Sequence, residues 1–271
     1  MTSRIKEKFK FLKKNNRKAL VCFLTAGDPN TKISAEVLSL LPKSGADLIE
    51  IGIPFSDPMA DGPTIQRSSL RAIKSGINLK KILEIVRGFR KSDSTTPIIL
   101  MGYFNPIFQF GVKSFINKCV EVGVDGLIVV DLPIEHSDEI CVPARKSGID
   151  FINFITPTTN KERLKQILKV SSGFLYFVSI AGITGTKAPD NKIIEELIKN
   201  VKQNTDLPIG VGFGIKSSSQ VEEISNFSDA IVVGSAIVNE IDSLKIKNFD
   251  NDLIVKNMID FLLELSNPLK G

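Results

Sequence analysis

Eight short apolar runs rich in Val and Ile, separated by longer stretches with helical spacing, set the tightest limit on what this chain can become. They are Ala19 to Thr25, Asp47 to Ile53, Pro97 to Tyr103, Asp125 to Asp131, Ile149 to Thr156, Gly173 to Ile180, Leu207 to Phe213 and Asp229 to Gly234. A run that is apolar at nearly every position belongs to a strand covered on both faces, as in parallel sheets with crossover helices. The stretches between, such as Asn78 to Lys91, Val112 to Val122, Lys161 to Val170 and Lys192 to Gln203, are each long enough for two or three helical turns. Three runs open alike, at Gly45-Ala46-Asp47, Gly123-Val124-Asp125 and Phe227-Ser228-Asp229, which marks a repeated unit of helix end, turn and strand start. Strict βα alternation without a Pro/Gly/Ser linker predicts one α/β domain over residues 1–271. A doubly wound open sheet competes. Eight strands in a chain near the roughly 250 residues of a closed barrel favour a single (β/α)8 TIM barrel.

The formal charge of +5 suggests a polyanionic partner until its location is considered. Residues 1–18 hold eight Lys or Arg against Glu7 alone, a net of +7, so the rest of the chain carries −2. In that segment Ile5, Phe9 and Leu12 fall on one helical stripe. The spacing predicts an N-terminal amphipathic helix packed on the barrel with its lysines in water; binding to anionic lipid is the alternative, and the short apolar face weighs against it. The segment lacks a signal-peptide core and cleavage site, and no run approaches the ~18 apolar residues of a membrane span. Cys22, Cys119 and Cys141 are an odd number without CxxC spacing, which predicts reduced thiols and a cytoplasmic protein. His136, the only histidine, lies in a polar stretch and reads as a solvated helix start; no metal site is expected.

In a barrel of this kind chemistry sits where strands end and βα loops begin. Glu50 interrupts the second run between Ile49 and Ile51, and alternation puts Leu48, Glu50 and Gly52 on one face. A carboxylate there must be paired, hydrogen-bonded or held with a raised pKa, the usual preparation of an acid-base group; a buried salt bridge is the bland alternative. The loop that follows, Pro54 to Pro63, holds two acids and three prolines that stiffen it. Asp61 is placed to reach over the barrel mouth toward a ligand shared with Glu50, while Asp57 and Asp61 also read as caps of a helix beginning near Gly62. Asp131, ending a strand, is the rival acid. Gly210, Gly212 and Gly214 end the seventh run, and Gly234-Ser235 the eighth, where barrels build phosphate sites from glycines and helix N-termini. The small, polar stretch Ser179 to Pro189 reads as a lid or an ordinary loop, and Tyr176 stands just before it. Walker, HExxH, zinc and nucleophile-elbow patterns do not occur.

These residues resemble the α subunit of tryptophan synthase from the first strand to about Glu240. The most specific piece is Glu50 to Gln66, EIGIPFSDPMADGPTIQ, supported by Leu24 to Pro29, Met101 to Pro106, Asp131 to Glu135, Gly182 to Gly185, Gly212 to Ile215 and Gly234 to Ile237. The resemblance implies a lyase that cleaves indole-3-glycerol phosphate to indole and glyceraldehyde 3-phosphate in tryptophan biosynthesis. It makes Glu50 the acid-base group and Asp61 the carboxylate facing the indole nitrogen. It places Tyr176 beside the substrate, Phe23 and Tyr103 at the indole, and Gly185, Phe213, Gly214, Gly234 and Ser235 at the phosphate, and it counts Thr184 among the substrate-binding residues. It implies no cofactor in this chain, a β partner that uses pyridoxal phosphate, an α2β2 heterotetramer, and a partner face including Asp57, Pro58 and the loop at Asn105 and Pro106. Lys187 stands where the family often has Arg, and Ile180-Ala181 replaces a more polar pair. Two other functions compete: a different phosphate-binding barrel, such as a sugar-phosphate isomerase or flavin-dependent oxidoreductase, and a partner-binding subunit of little activity.

Overall fold

The computed structural model describes residues 3–178, 191–212, 214–246 and 251–270, and in them the apolar runs form parallel strands. These are β1 (Ala19–Thr25), β2 (Leu48–Gly52), β3 (Ile98–Gly102), β4 (Gly126–Val129), β5 (Asp150–Phe151), β6 (Asn153–Ile155), β7 (Leu175–Val178), β8 (Ile209–Gly212) and β9 (Ala230–Val233). Their order in the sheet is β5-β4-β3-β2-β1-β9-β8-β7-β6. The fifth run, Ile149 to Thr156, changes partner at Ile152, whose amide bonds the Leu127 carbonyl at 3.0 Å. β5 pairs only with β4 and β6 only with β7, so the two ends of the sheet are consecutive pieces of one run and the TIM barrel closes through the chain itself. Barrel strands are tilted and staggered, so a short strand meets its two neighbours over different residues.

Alternation along the strands divides the interior into two cores. Ala19, Val21, Leu48, Ile99, Ile128, Ile152, Phe174, Ala230 and Val232 fill the barrel. Their neighbours in sequence, such as Leu20, Cys22, Ile49, Ile51, Leu100 and Ile231, pack in the layer between strands and helices. Both faces are therefore dry, as near-continuous apolar runs require.

The helix Arg4–Lys14 closes the end at which the strands begin. Ser3 caps it by accepting the Lys6 amide, and Ile5, Phe9 and Leu12 are buried against the barrel filling, at roughly 2 kcal/mol for each side chain. The apolar stripe is thus used up within the chain, which removes the basis of the lipid-binding alternative. None of the described helices is long and apolar enough to cross a membrane, and all three cysteines are buried thiols.

The three similar strand openings share one hydrogen-bonding device. Asp47, Asp125 and Asp229 each give their amide to a carbonyl on the neighbouring strand and take that same residue's amide on their carboxylate. The partners are Leu20 (2.8 and 3.1 Å), Ile98 (2.8 and 2.8 Å) and Ile209 (2.9 and 2.9 Å). A side chain thereby satisfies an amide at the frayed start of the ladder.

Candidate active site

The inner face of β2 rises from Leu48, in the dry filling, to Glu50, one step nearer the strand ends. Glu50 is fully buried, opposite Phe23 of β1 and Ile99 of β3. Among the described residues neither carboxyl oxygen has a hydrogen-bond partner. Burial without compensation disfavours the ionised form, and it pushes the carboxyl from its usual 4.5 up to about 8. The buried salt bridge, the alternative reading of Glu50, is therefore absent from the described residues.

Glu50 opens onto a cavity of about 550 Å³ at the mouth of the barrel, which also presents Phe23, Asp61, Tyr176, Gly214, Gly234 and Ser235. Asp61 arrives on the stiff loop after β2. The helix behind it, Pro63–Lys74, starts with Gly62 as N-cap and has no side-chain cap. Proline at the first helical position has no amide to satisfy, so the capping roles open to Asp57 and Asp61 are not used. Asp57 is exposed and accepts a hydrogen bond from the Ser56 hydroxyl, whereas Asp61 is half-buried and faces the cavity. Burial pushes the Asp61 carboxyl up, and the Tyr103 hydroxyl pulls the other way.

Tyr103 stands behind Asp61, in a small space of about 20 Å³ that shares Phe23, Asp61, Ile65, Met101 and Val130 with the main cavity. Its hydroxyl accepts the Ala60 amide at 3.0 Å and its ring packs on Phe55 at 5.2 Å. Asp131, read as the rival acid, makes a structural bond. It accepts the Phe104 amide at 2.7 Å, capping the helix Phe104–Phe110. Asn105 and Pro106 lie inside that helix, not in a loop; proline is tolerated there because first-turn amides have no partner anyway.

At the other end of the cavity, Gly234 caps the helix Ser235–Ile246, whose first internal bond runs from the Val238 amide to the Gly234 carbonyl at 3.1 Å. The amides before Val238 are left pointing out of the helix, an arrangement suited to an anion. Gly214 adopts a positive φ of 60° beside open space. Gly212 serves a different purpose, since a Cβ there would collide with the ring and hydroxyl of Tyr176 and its bareness makes room for that side chain. Thr184, Gly185 and Phe213, with the stretch read as a lid, lie outside the described residues. His136 is exposed in a short 3-10 turn, and no group of three metal-binding side chains occurs among the described residues.

Met101, Val130, Phe154, Thr156 and Ile65 also line the cavity, and none of them is singled out as a site residue from the sequence. Carrying the alternation of Leu48 and Glu50 across to β3, β4 and β6 points to the first three. The cavity thus has an apolar side, two carboxylates in different surroundings, and a helix N-terminus.

A family model described as tryptophan synthase alpha chain matches residues 9–261. The tryptophan synthase subunit alpha of Legionella pneumophila str. Paris is similar at 38% identity over 99% of both chains, with a TM-score of 0.92. A structure from Aquifex aeolicus VF5 matches at 35% identity over 100% of both chains, TM-score 0.89. Tryptophan synthase from M. tuberculosis, in an aminoacrylate-bound form, matches at 29% identity over 99% of this chain and 100% of that one, TM-score 0.87. The chain belongs to the tryptophan synthase alpha chain family, lyases that cleave indole-3-glycerol phosphate in the biosynthesis of tryptophan.

Proposed function

We propose that Glu50 and Asp61 carry out the cleavage together, one as a proton shuttle and the other as a fixed negative charge. The supporting observation is a fully buried, unpartnered Glu50 in the same cavity as Asp61 and the Ser235 helix start. Indole leaves poorly as a carbanion, so C3 must be protonated first. Glu50, protonated at neutral pH because burial raises it to about 8, gives its proton to C3. Positive charge then develops on the ring nitrogen, where the Asp61 carboxylate stabilises it. The Glu50 carboxylate next takes the proton of the glycerol hydroxyl. As the aldehyde forms, the carbon–carbon bond breaks and its electron pair restores the indole ring, leaving Glu50 protonated as at the start. Phe23 and Tyr176 flank the reacting end. Gly214, Gly234 and Ser235 hold the phosphate, whose binding supplies the positioning.

The reaction draws on no cofactor in this family; pyridoxal phosphate belongs to the β subunit, which is the partner of this chain. Assembly as an α2β2 heterotetramer in the cytoplasm fits that partnership. Asp57, Pro58, Asn105 and Pro106 would lie on the partner face, and the exposed Met59 and Phe108 beside them supply the apolar surface such a face needs. Indole release by the isolated chain tests the mechanism. Glu50→Gln is expected to lower turnover by about 10²–10⁴, the usual contribution of general acid-base help. Wild-type turnover in that variant would refute the assignment.

A further inference from the structure

The helix behind Asp61 and the helix that begins at Ser235 are joined by an arginine that takes no part in the site itself. Arg71 projects from Pro63–Lys74, between two and three turns below Asp61. Its guanidinium grips Asp28 with two bonds of 2.8 Å and holds Asp242, on Ser235–Ile246, at 2.9 Å. Asp28 is buried, in the turn after β1, and the side chains of Arg71 and Asp242 are only 19% and 22% exposed. Weaker ties follow the same line: Thr25 to Ser68 at 2.7 Å, Thr64 to Asn239 at 3.1 Å and the Ser75 hydroxyl to the Gly27 carbonyl at 3.2 Å. One helix positions the carboxylate end of the cavity and the other its anion-binding end.

We propose that Arg71 is a positioning residue for the cleavage: by clamping Asp242 and Asp28 at once, it fixes the separation between Asp61 and the Ser235 helix start. A substrate held by its phosphate then presents its ring nitrogen at a set distance from Asp61. This rests on the role proposed above for Asp61. Arginine suits this role because a planar fork can serve two carboxylates in fixed directions, which an ammonium group cannot. Misplacing a charge by even an ångström is costly in catalysis, up to about a hundredfold.

A double-mutant cycle on the full chain, measured as single-turnover indole release with enzyme in excess, tests this. Asp242→Asn frees only the tie to the Ser235 helix and leaves the Arg71–Asp28 pair in place. It is expected to lower the cleavage rate by roughly three- to tenfold, in line with a small displacement. In an Asp61→Asn background the same change is expected to alter the rate by less than about twofold, because there is no longer a charge to place. Arg71→Lys, as a second route, is expected to lose rate in the same Asp61-dependent way. If Asp242→Asn and Arg71→Lys cost the same factor with and without Asp61, or cost nothing, Arg71 is structural and the positioning role is overturned. If Asp61→Asn alone retains the full rate, the failure lies instead with the role assigned to Asp61.

Discussion

Two buried carboxylates, one near each end of the barrel, have opposite surroundings. Asp125 lies at the end where strands begin, takes Arg90 at 2.6 Å and Arg4 at 2.7 Å, and accepts the Ile98 amide at 2.8 Å. Arg90 in turn donates to the carbonyls of Gly123, Asp93 and Thr96, binding two loops together. Glu50, near the mouth, is more deeply buried and has no hydrogen-bond partner among the described residues. Satisfying a buried charge makes it a fastener; leaving one unsatisfied keeps its proton available for transfer. With the role proposed for Glu50, the same barrel devotes its closed end to stability and its open end to reactivity, as expected for this architecture.

The sharpest break of that comparison is to neutralise each carboxylate in turn. Asp125→Asn strands Arg90, whose side chain is only 10% exposed, and should cost about 3 kcal/mol of stability while the folded protein keeps its turnover. Glu50→Gln should do the reverse, losing activity with little loss of stability at pH 8. Urea unfolding midpoints beside indole-release rates decide the matter; equal stability losses in the two variants would erase the distinction.

A pH dependence sharpens it. The Glu50 carboxyl titrates near its usual 4.5 when the chain is unfolded and at about 8 when folded. The folded state therefore binds the proton more tightly, and this contribution to stability is complete below 4.5 and is lost as pH rises through about 8. Between pH 5 and 9 the unfolding midpoint of the wild type should fall relative to that of Glu50→Gln, which carries no titrating group at position 50. Parallel curves would mean that Glu50 has found a partner.

Most of the barrel is legible in the sequence because its signals are local. Glu50 between Ile49 and Ile51 marks both a strand and a site, and the Ile5, Phe9, Leu12 stripe marks the closing helix. The change of partner at Ile152 is not legible, since it depends on how two neighbouring strands are staggered around a closed ring. The partners of Asp131 and Tyr103 are not legible for a related reason. Each stands at the end of an inner run, but what it touches, the Phe104 amide in one case and the Ala60 amide in the other, belongs to a distant stretch of chain. Gly212 shows the converse: its glycine reads as room for a phosphate, and the room is taken by Tyr176 from the adjacent strand.

The mildest test concerns what stands behind Asp61. If the open end is tuned for reactivity, its carboxylates should answer to small changes that leave the fold intact. Tyr103→Phe removes one hydroxyl while keeping the ring on Phe55. The Ala60 amide loses its acceptor, but Ala60 is exposed and water can replace the bond, so the fold should lose no more than about 1 kcal/mol. The hydroxyl also holds the Asp61 carboxyl down against the upward push of burial. Without it that pKa should rise further, and cleavage, which in the proposed mechanism needs Asp61 ionised, should be lost at a higher pH on the acidic side of its profile. Turnover near neutrality should fall by a few-fold, consistent with about 1 kcal/mol. An acid limb that stays in place or moves to lower pH would show that Tyr103 merely fills space, and that Asp61 owes its ionisation to the mouth of the cavity alone.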